Sequence, residues 1–172
     1  SLARLPELME QTLEKVDSQI AFIENDLANA ADMYCLGFGS TYPIALEGSL
    51  KLKEVTYIHC EGMLSTEFKH GPLSAVDEGY PIIFVAGPED IPLIVSGINE
   101  VTCRGARAIA IGEDSPQLRS NATNMIVVPP SGPLFLPITS ILPLQLLSYR
   151  LSISRGFDPD FPRNLSKTLT VD

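Results

Sequence analysis

The sequence predicts a doubly wound α/β domain: a three-layer α/β/α sandwich built on a parallel sheet of four or five strands. Three observations predict it. Residues 33–38, 81–86, 106–111 and 125–128 are short, mostly apolar runs, as strands buried on both faces must be. Between them lie segments with apolar residues at helical spacing, and strands that alternate with helices form a parallel sheet covered on both sides. At 172 residues, 45% hydrophobic and 19% charged, with a mean hydropathy of +0.16, the chain has the length of one domain and enough apolar material for its core. Intrinsic disorder is excluded.

The elements follow in order. Residues 4–29 open the chain as a long amphipathic helix, with Leu5, Leu8, Met9, Leu13, Val16, Ile20, Ile23 and Leu27 at helical spacing among polar residues. The strand at 33–38 runs into Gly37-Phe38-Gly39-Ser40-Thr41, and the helical pattern resumes from Ile44 through Val55, with Pro43 suited to its first turn. A strand at 81–86, a helix at 89–104, a strand at 106–111, a short helix at 115–120 and a strand at 125–128 come next. Residues 136–155 form a long apolar helix. Prolines, glycine and charges then give an irregular tail, 156–172, which Phe157, Phe161 and Leu165 can dock on a surface. The reading is one domain over 1–172, with its α/β core at 32–155. A first residue of Ser1 rather than Met fits either a processed product or a piece of a longer chain.

Composition narrows the function. With 12 Lys and Arg against 21 Asp and Glu, the net charge is −9. Nothing there favours nucleic acid, which needs a clustered basic face, and a phosphorylated substrate has to be held by local donors against the overall field. Apolar runs are too short and broken for a membrane span or secretory signal. Cys35, Cys60 and Cys103 are an odd set at no metal-ligand spacing, which points to a reducing, cytoplasmic compartment. Cys35 and Cys103 read as small core residues. No metal or nucleotide cofactor is called for.

Chemistry-bearing residues fall in four places. The 37–41 loop opens a helix, where backbone N–H groups and the Ser40 and Thr41 hydroxyls can hold a phosphate; a tight turn with a hydroxyl N-cap fits the same residues. Glu47, Lys51 and Glu54 share one helix face. That spacing usually means solvated ion pairs, but turned into a cleft it gives a carboxylate able to move a proton and an amine able to steady negative charge. His59 reads as a satisfied, partly buried side chain, whereas His70, in Lys69-His70-Gly71-Pro72, sits exposed in a turn where imidazole can work near neutral pH. Lys167, beside Ser166, lies in a tail rich in specific turn residues.

Several segments carry a resemblance: Tyr42-Pro43-Ile44-Ala45-Leu46-Glu47-Gly48-Ser49-Leu50-Lys51-Leu52-Lys53-Glu54, then Tyr57-Ile58-His59, then Glu67-Phe68-Lys69-His70-Gly71-Pro72-Leu73, then Pro143-Leu144-Gln145-Leu146-Leu147, and the ending from Pro162-Arg163-Asn164-Leu165-Ser166-Lys167 to Asp172. In this order they resemble the sugar isomerase (SIS) family, and within it the C-terminal half of the isomerase region of glutamine–fructose-6-phosphate aminotransferases, or glucosamine-6-phosphate synthases. The resemblance implies an SIS fold and an enzyme that makes glucosamine 6-phosphate from fructose 6-phosphate and glutamine-derived ammonia. It implies Glu54 as the base between the first two sugar carbons, with Lys51 beside the enediolate-like intermediate. His70 is implied to help open the sugar ring and to reach the site of a neighbouring subunit. Lys167 is implied to form a Schiff base with the ketose carbonyl, and Ser166 to contact substrate through its backbone. Such an amine attacks only when deprotonated, which favours a tail folded over a closed site. Also implied are a homo-oligomer, and a glutaminase domain and first SIS half elsewhere in the same protein.

The departures are specific. Ser1 is not the N-terminal Cys of the family's glutaminase half, Phe38 stands where the family often has Arg, and Ser166 stands where many members carry Ala. Two other readings stay open: a stand-alone SIS module binding a sugar phosphate through Ser40 and Thr41, and an SIS deaminase or isomerase that never uses glutamine.

Overall fold

The structure, a computed structural model, describes residues 2–165. Helix α1 spans Leu5–Leu27, β1 Asp32–Gly37, α2 Tyr42–Thr56, β2 His59–Leu64, β3 Pro81–Val85, α3 Ile91–Thr102, β4 Arg107–Glu113, α4 Pro116–Asn121, β5 Asn124–Val128 and α5 Leu136–Ser154. The five strands form one parallel sheet in the order β2-β1-β3-β4-β5. This is the expected architecture, with a fifth strand that the apolar runs do not announce. β2 is an edge strand: among the described residues it pairs only with β1, from Asp32↔His59 to Gly37↔Leu64, and His59 and Glu61 face solvent around buried Cys60.

Alternation along the strands sorts their side chains onto two faces. On one, Met33, Cys35, Ile83, Val85, Ile109 and Ile111 meet Val16, Ile20, Ile23 and Leu27 of α1, Ala45 and Leu52 of α2, and Leu144, Leu147 and Leu151 of α5. On the other, Leu36, Ile82, Phe84, Ala108 and Ala110 meet Phe68, Ile94 and Ile98 of α3, and Leu118 of α4. Arg150 ties α5 to α1 through Asp17 at 2.8 Å and Glu24 at 3.2 Å. No helix among the described residues is long and apolar enough to cross a membrane.

Two readings of single residues are corrected. α3 ends at Thr102, so Cys103 is an exposed C-cap residue rather than part of the core. His59 opens the edge strand and is exposed, since among the described residues no strand pairs on that side of β2. Cys35 and Cys60 are buried. Burial pushes the Cys60 thiol up to about 12 and Cys35 well above its usual value, so neither supplies a thiolate near neutral pH.

Candidate functional site

Because α2 carries the chain from the end of β1 to the start of β2, the candidates at its two ends are far apart. Glu54 lies 13 residues beyond Thr41, about 20 Å along the helix axis.

At the first end, Thr41 is fully buried. Its hydroxyl accepts from the Phe38 N–H at 3.1 Å and can donate to the carbonyls of Phe38 and Val85, both at 2.8 Å. It therefore stitches the end of β1 to the end of β3 and is unavailable to a ligand, which corrects the phosphate-binding reading of Thr41. Ser40 is exposed and lines a cavity of about 420 Å³, but it shares that cavity with Glu89, Asp90 and Glu113. Burial, with Glu89 beside it, raises the Asp90 pKa. A carboxylate within about 4 Å of a phosphate opposes it by roughly 1–4 kcal/mol near a protein surface, so Ser40 faces ground unsuited to a sugar phosphate. Thr41→Val keeps the shape but leaves the Phe38 N–H and the Val85 carbonyl without the hydroxyl. The expected loss is about 1–3 kcal/mol of stability, read as a lower urea midpoint; an unchanged midpoint would mean that the hydroxyl holds nothing.

The second end is built differently. Lys51 Nζ lies 2.6 Å from Glu54 Oε2 and 3.6 Å from Glu47 Oε1, so the spacing seen in the sequence does bring the three together. The side chains of Lys51 and Glu54 are 31% and 27% exposed and that of Glu47 is 46% exposed, which makes the inner pair sheltered yet reachable. The hydrogen bond that Lys51 donates to Glu54, more than any other influence, raises the Lys51 pKa. Lys51 is thus a held ammonium, a donor rather than a nucleophile. Stability does not account for the arrangement. Such a pair contributes only ~0.2–0.5 kcal/mol, and a carboxylate in the last turn of a helix opposes the macrodipole.

One turn beyond Glu54, Tyr57 caps α2 in the left-handed conformation, φ 60° and ψ 17°. Its ring lies under the Arg163 guanidinium at 3.8 Å and edge-on to Phe157 at 4.7 Å, and its hydroxyl accepts from the Arg163 N–H at 2.8 Å. Tyr57 lies within the Tyr57-Ile58-His59 segment, where spacing points to no role for it. Its partners come from 100 or more residues downstream, beyond the reach of spacing arguments.

His70 is not brought to this pair. It ends a short 3-10 turn, Phe68–His70, is exposed, and precedes Gly71 at φ 151°. Its neighbour Phe68 packs edge-on against Tyr34 at 4.8 Å, on the sheet face opposite α2. His59 stands at a cavity of about 580 Å³ below the sheet, with Asp32, Glu61, Asp77, Glu78 and Tyr80. Burial, ahead of neighbouring Tyr34, pushes Tyr80 up to about 12. Among the described residues no group of three His, Cys, Asp or Glu side chains is placed to hold a metal ion. Ser166 and Lys167 lie outside the described residues.

The comparisons agree with this architecture. The model of the SIS domain family matches residues 26–155. Glutamine–fructose-6-phosphate aminotransferase (isomerizing) of Methanothermobacter thermautotrophicus is 44% identical over 174 residues, covering 99% of this chain and 29% of that protein. Among solved structures, the C-terminal domain of glucosamine-fructose-6-phosphate aminotransferase from Francisella tularensis superposes with a TM-score of 0.82 at 34% identity, over 91% of this chain and 44% of that one. Glucosamine-6-phosphate deaminase from Thermotoga maritima gives a TM-score of 0.76 at 25% identity, over 98% of this chain and 50% of that one. The chain spans under a third of the aminotransferase from Methanothermobacter. With the α2 residues and the parallel sheet in place, and a family match that runs from the end of α1 through α5, this chain belongs to the SIS domain family.

Proposed function

We propose that this chain is the C-terminal half of the isomerase domain of a glucosamine-6-phosphate synthase, working in the cytoplasm on fructose 6-phosphate and ammonia released from glutamine by another domain. The observation that carries the reading is the Lys51–Glu54 pair, a 2.6 Å ion pair in the sheltered last turns of α2, within a chain that aligns along 99% of its length with an aminotransferase of that kind.

The chemistry asks for four side chains. The Lys167 amine adds to the C2 carbonyl of the open-chain ketose and expels water as the Schiff base forms; ammonia then displaces it, leaving nitrogen on C2. Glu54 removes a proton from C1 and returns it at C2, which gives the 2-amino aldose. Lys51, held charged, steadies the negative charge that develops between the two carbons. His70 assists ring opening from a second copy of the chain, a role supported by its placement on the sheet face away from Glu54. The acidic surroundings of Ser40 support a phosphate grip supplied by the first SIS half of the protein.

Reduction with borohydride in the presence of fructose 6-phosphate tests the Schiff base. The expected result is a covalent sugar adduct mapped to the peptide carrying Lys167, lost in Lys167→Arg. An adduct on another lysine, or none at all, overturns the assignment.

A further inference from the structure

We propose that the cavity of about 580 Å³ at the lower edge of the sheet binds a linear polyamine, with its ammonium groups on the carboxylates of Asp32, Glu61 and Asp77 and its methylene stem against Tyr34 and Tyr80. The cavity shares no residue with the Lys51–Glu54 pair and is independent of the function proposed above.

Strand register builds it. β1 and β2 pair with Asp32 opposite His59 and Tyr34 opposite Glu61, so alternation turns all four side chains to one sheet face. That face carries Phe68, Ile82 and Ile94 and lies away from α2. The chain that enters β3 brings Asp77, Glu78 and Tyr80 to the same cavity.

Two features of the lining point to a ligand. Tyr34 is only 9% exposed, and its ring packs against Phe68 at 4.8 Å and Tyr80 at 5.8 Å. Among the described residues its hydroxyl has no hydrogen-bond partner, and it opens into the cavity instead of lying sealed in the core. Burial, ahead of Glu61 and Asp32, raises the Tyr34 pKa. The phenol therefore stays protonated, and its oxygen can accept from an ammonium N–H. The second feature is unanswered charge. Among the described residues, the carboxylates of Asp32, Glu61, Asp77 and Glu78 have no ion pair and no hydrogen bond. The lining contains no Lys or Arg, and its one imidazole is His59.

Charge and spacing narrow the ligand class. Four carboxylates oppose an anion. A metal ion needs ligands gathered at about 2.0–2.6 Å, and among the described residues no three His, Cys, Asp or Glu side chains are placed to do that. A polyamine carries its charges apart on an apolar stem, as carboxylates spread around two aromatic rings require. The rings attract the cation through their faces and shelter the methylenes. The volume falls within the roughly 300–1,000 Å³ of small-molecule sites.

The test is calorimetric titration of this chain with spermidine at an ionic strength of about 0.15 M, where exposed charges are largely screened beyond about 8 Å. The expected result is one spermidine bound per chain. Tyr34→Phe keeps the packed ring and removes only the hydroxyl; it is expected to weaken binding about tenfold, as loss of a hydrogen bond to a charged group does. Asp32→Asn combined with Glu61→Gln changes two exposed positions, so folding is not at risk, and is expected to weaken binding by more than about tenfold. Glu10→Gln combined with Glu14→Gln removes two exposed charges from α1 and is expected to leave binding within about twofold.

No binding overturns the proposal. Binding that falls equally in the α1 control also overturns it, because spermidine then answers only to net charge. Unchanged affinity in Tyr34→Phe overturns the cavity as the place of binding. Displacement of spermidine by an equal concentration of magnesium overturns the ligand class. Each outcome reads the same whether or not the complete protein makes glucosamine 6-phosphate.

Discussion

On the function proposed above, Glu54→Gln is expected to stop proton transfer between the first two sugar carbons and to leave the fold in place. Glutamine keeps the size and the hydrogen bond to Lys51 but cannot take up the C1 proton. The expected loss in kcat is about 10²–10⁴-fold, the usual contribution of a positioned general base, with kcat/KM falling equally because the interaction belongs to the transition state. Thermal stability barely moves: the Lys51–Glu54 contact is partly solvated, a helical pair of this kind contributes ~0.2–0.5 kcal/mol, and removing a negative charge from the last turn of α2 eases the macrodipole. Glu47→Gln is the matching control. Glu47 is farther from Lys51, at 3.6 Å, and more exposed, so its loss leaves kcat within about threefold, as for a rim charge. Comparable losses at Glu47 and Glu54 would mean that the row acts only as a charged helix face, and substantial activity in Glu54→Gln would remove Glu54 from the proton transfer.

Much of this was legible in the sequence because it depends on local periodicity. Four strands betray themselves as apolar runs, and the spacing of Glu47, Lys51 and Glu54 fixes a shared face once α2 is recognised. β2 escaped because an edge strand buries only part of its pattern: Cys60 is inside while His59 and Glu61 meet water. Thr41 shows another limit. A hydroxyl at a helix entrance reads equally as ligand donor or as staple, and only the carbonyl of Val85, 44 residues away, decides for the staple. Cys103 was misplaced by two residues of helix, enough to turn it from inside to outside. Tyr57 was invisible in a stricter sense, since a ring contact with Phe157 and Arg163 has no signature at either end of the chain.

On the function proposed above, the two-faced sheet that separates His70 from Glu54 is expected to make the site composite, each copy of the chain completing the site of the other. A chain whose His70 serves another copy cannot complete its own site, so His70→Ala and Glu54→Gln should each be nearly inactive alone, yet they repair one another. In a mixed dimer one site collects both substitutions and the other collects neither. With random exchange of subunits half the dimers are mixed, so about one quarter of all sites are intact, as two-fold symmetry requires. The measurement is synthase activity of the two complete variants, differently tagged, co-expressed and purified through both tags so that only mixed dimers are assayed. The expected result is about half the parental activity per mixed dimer. Mixed dimers as inactive as either parent variant would place His70 and Glu54 in the same site of one chain and contradict it.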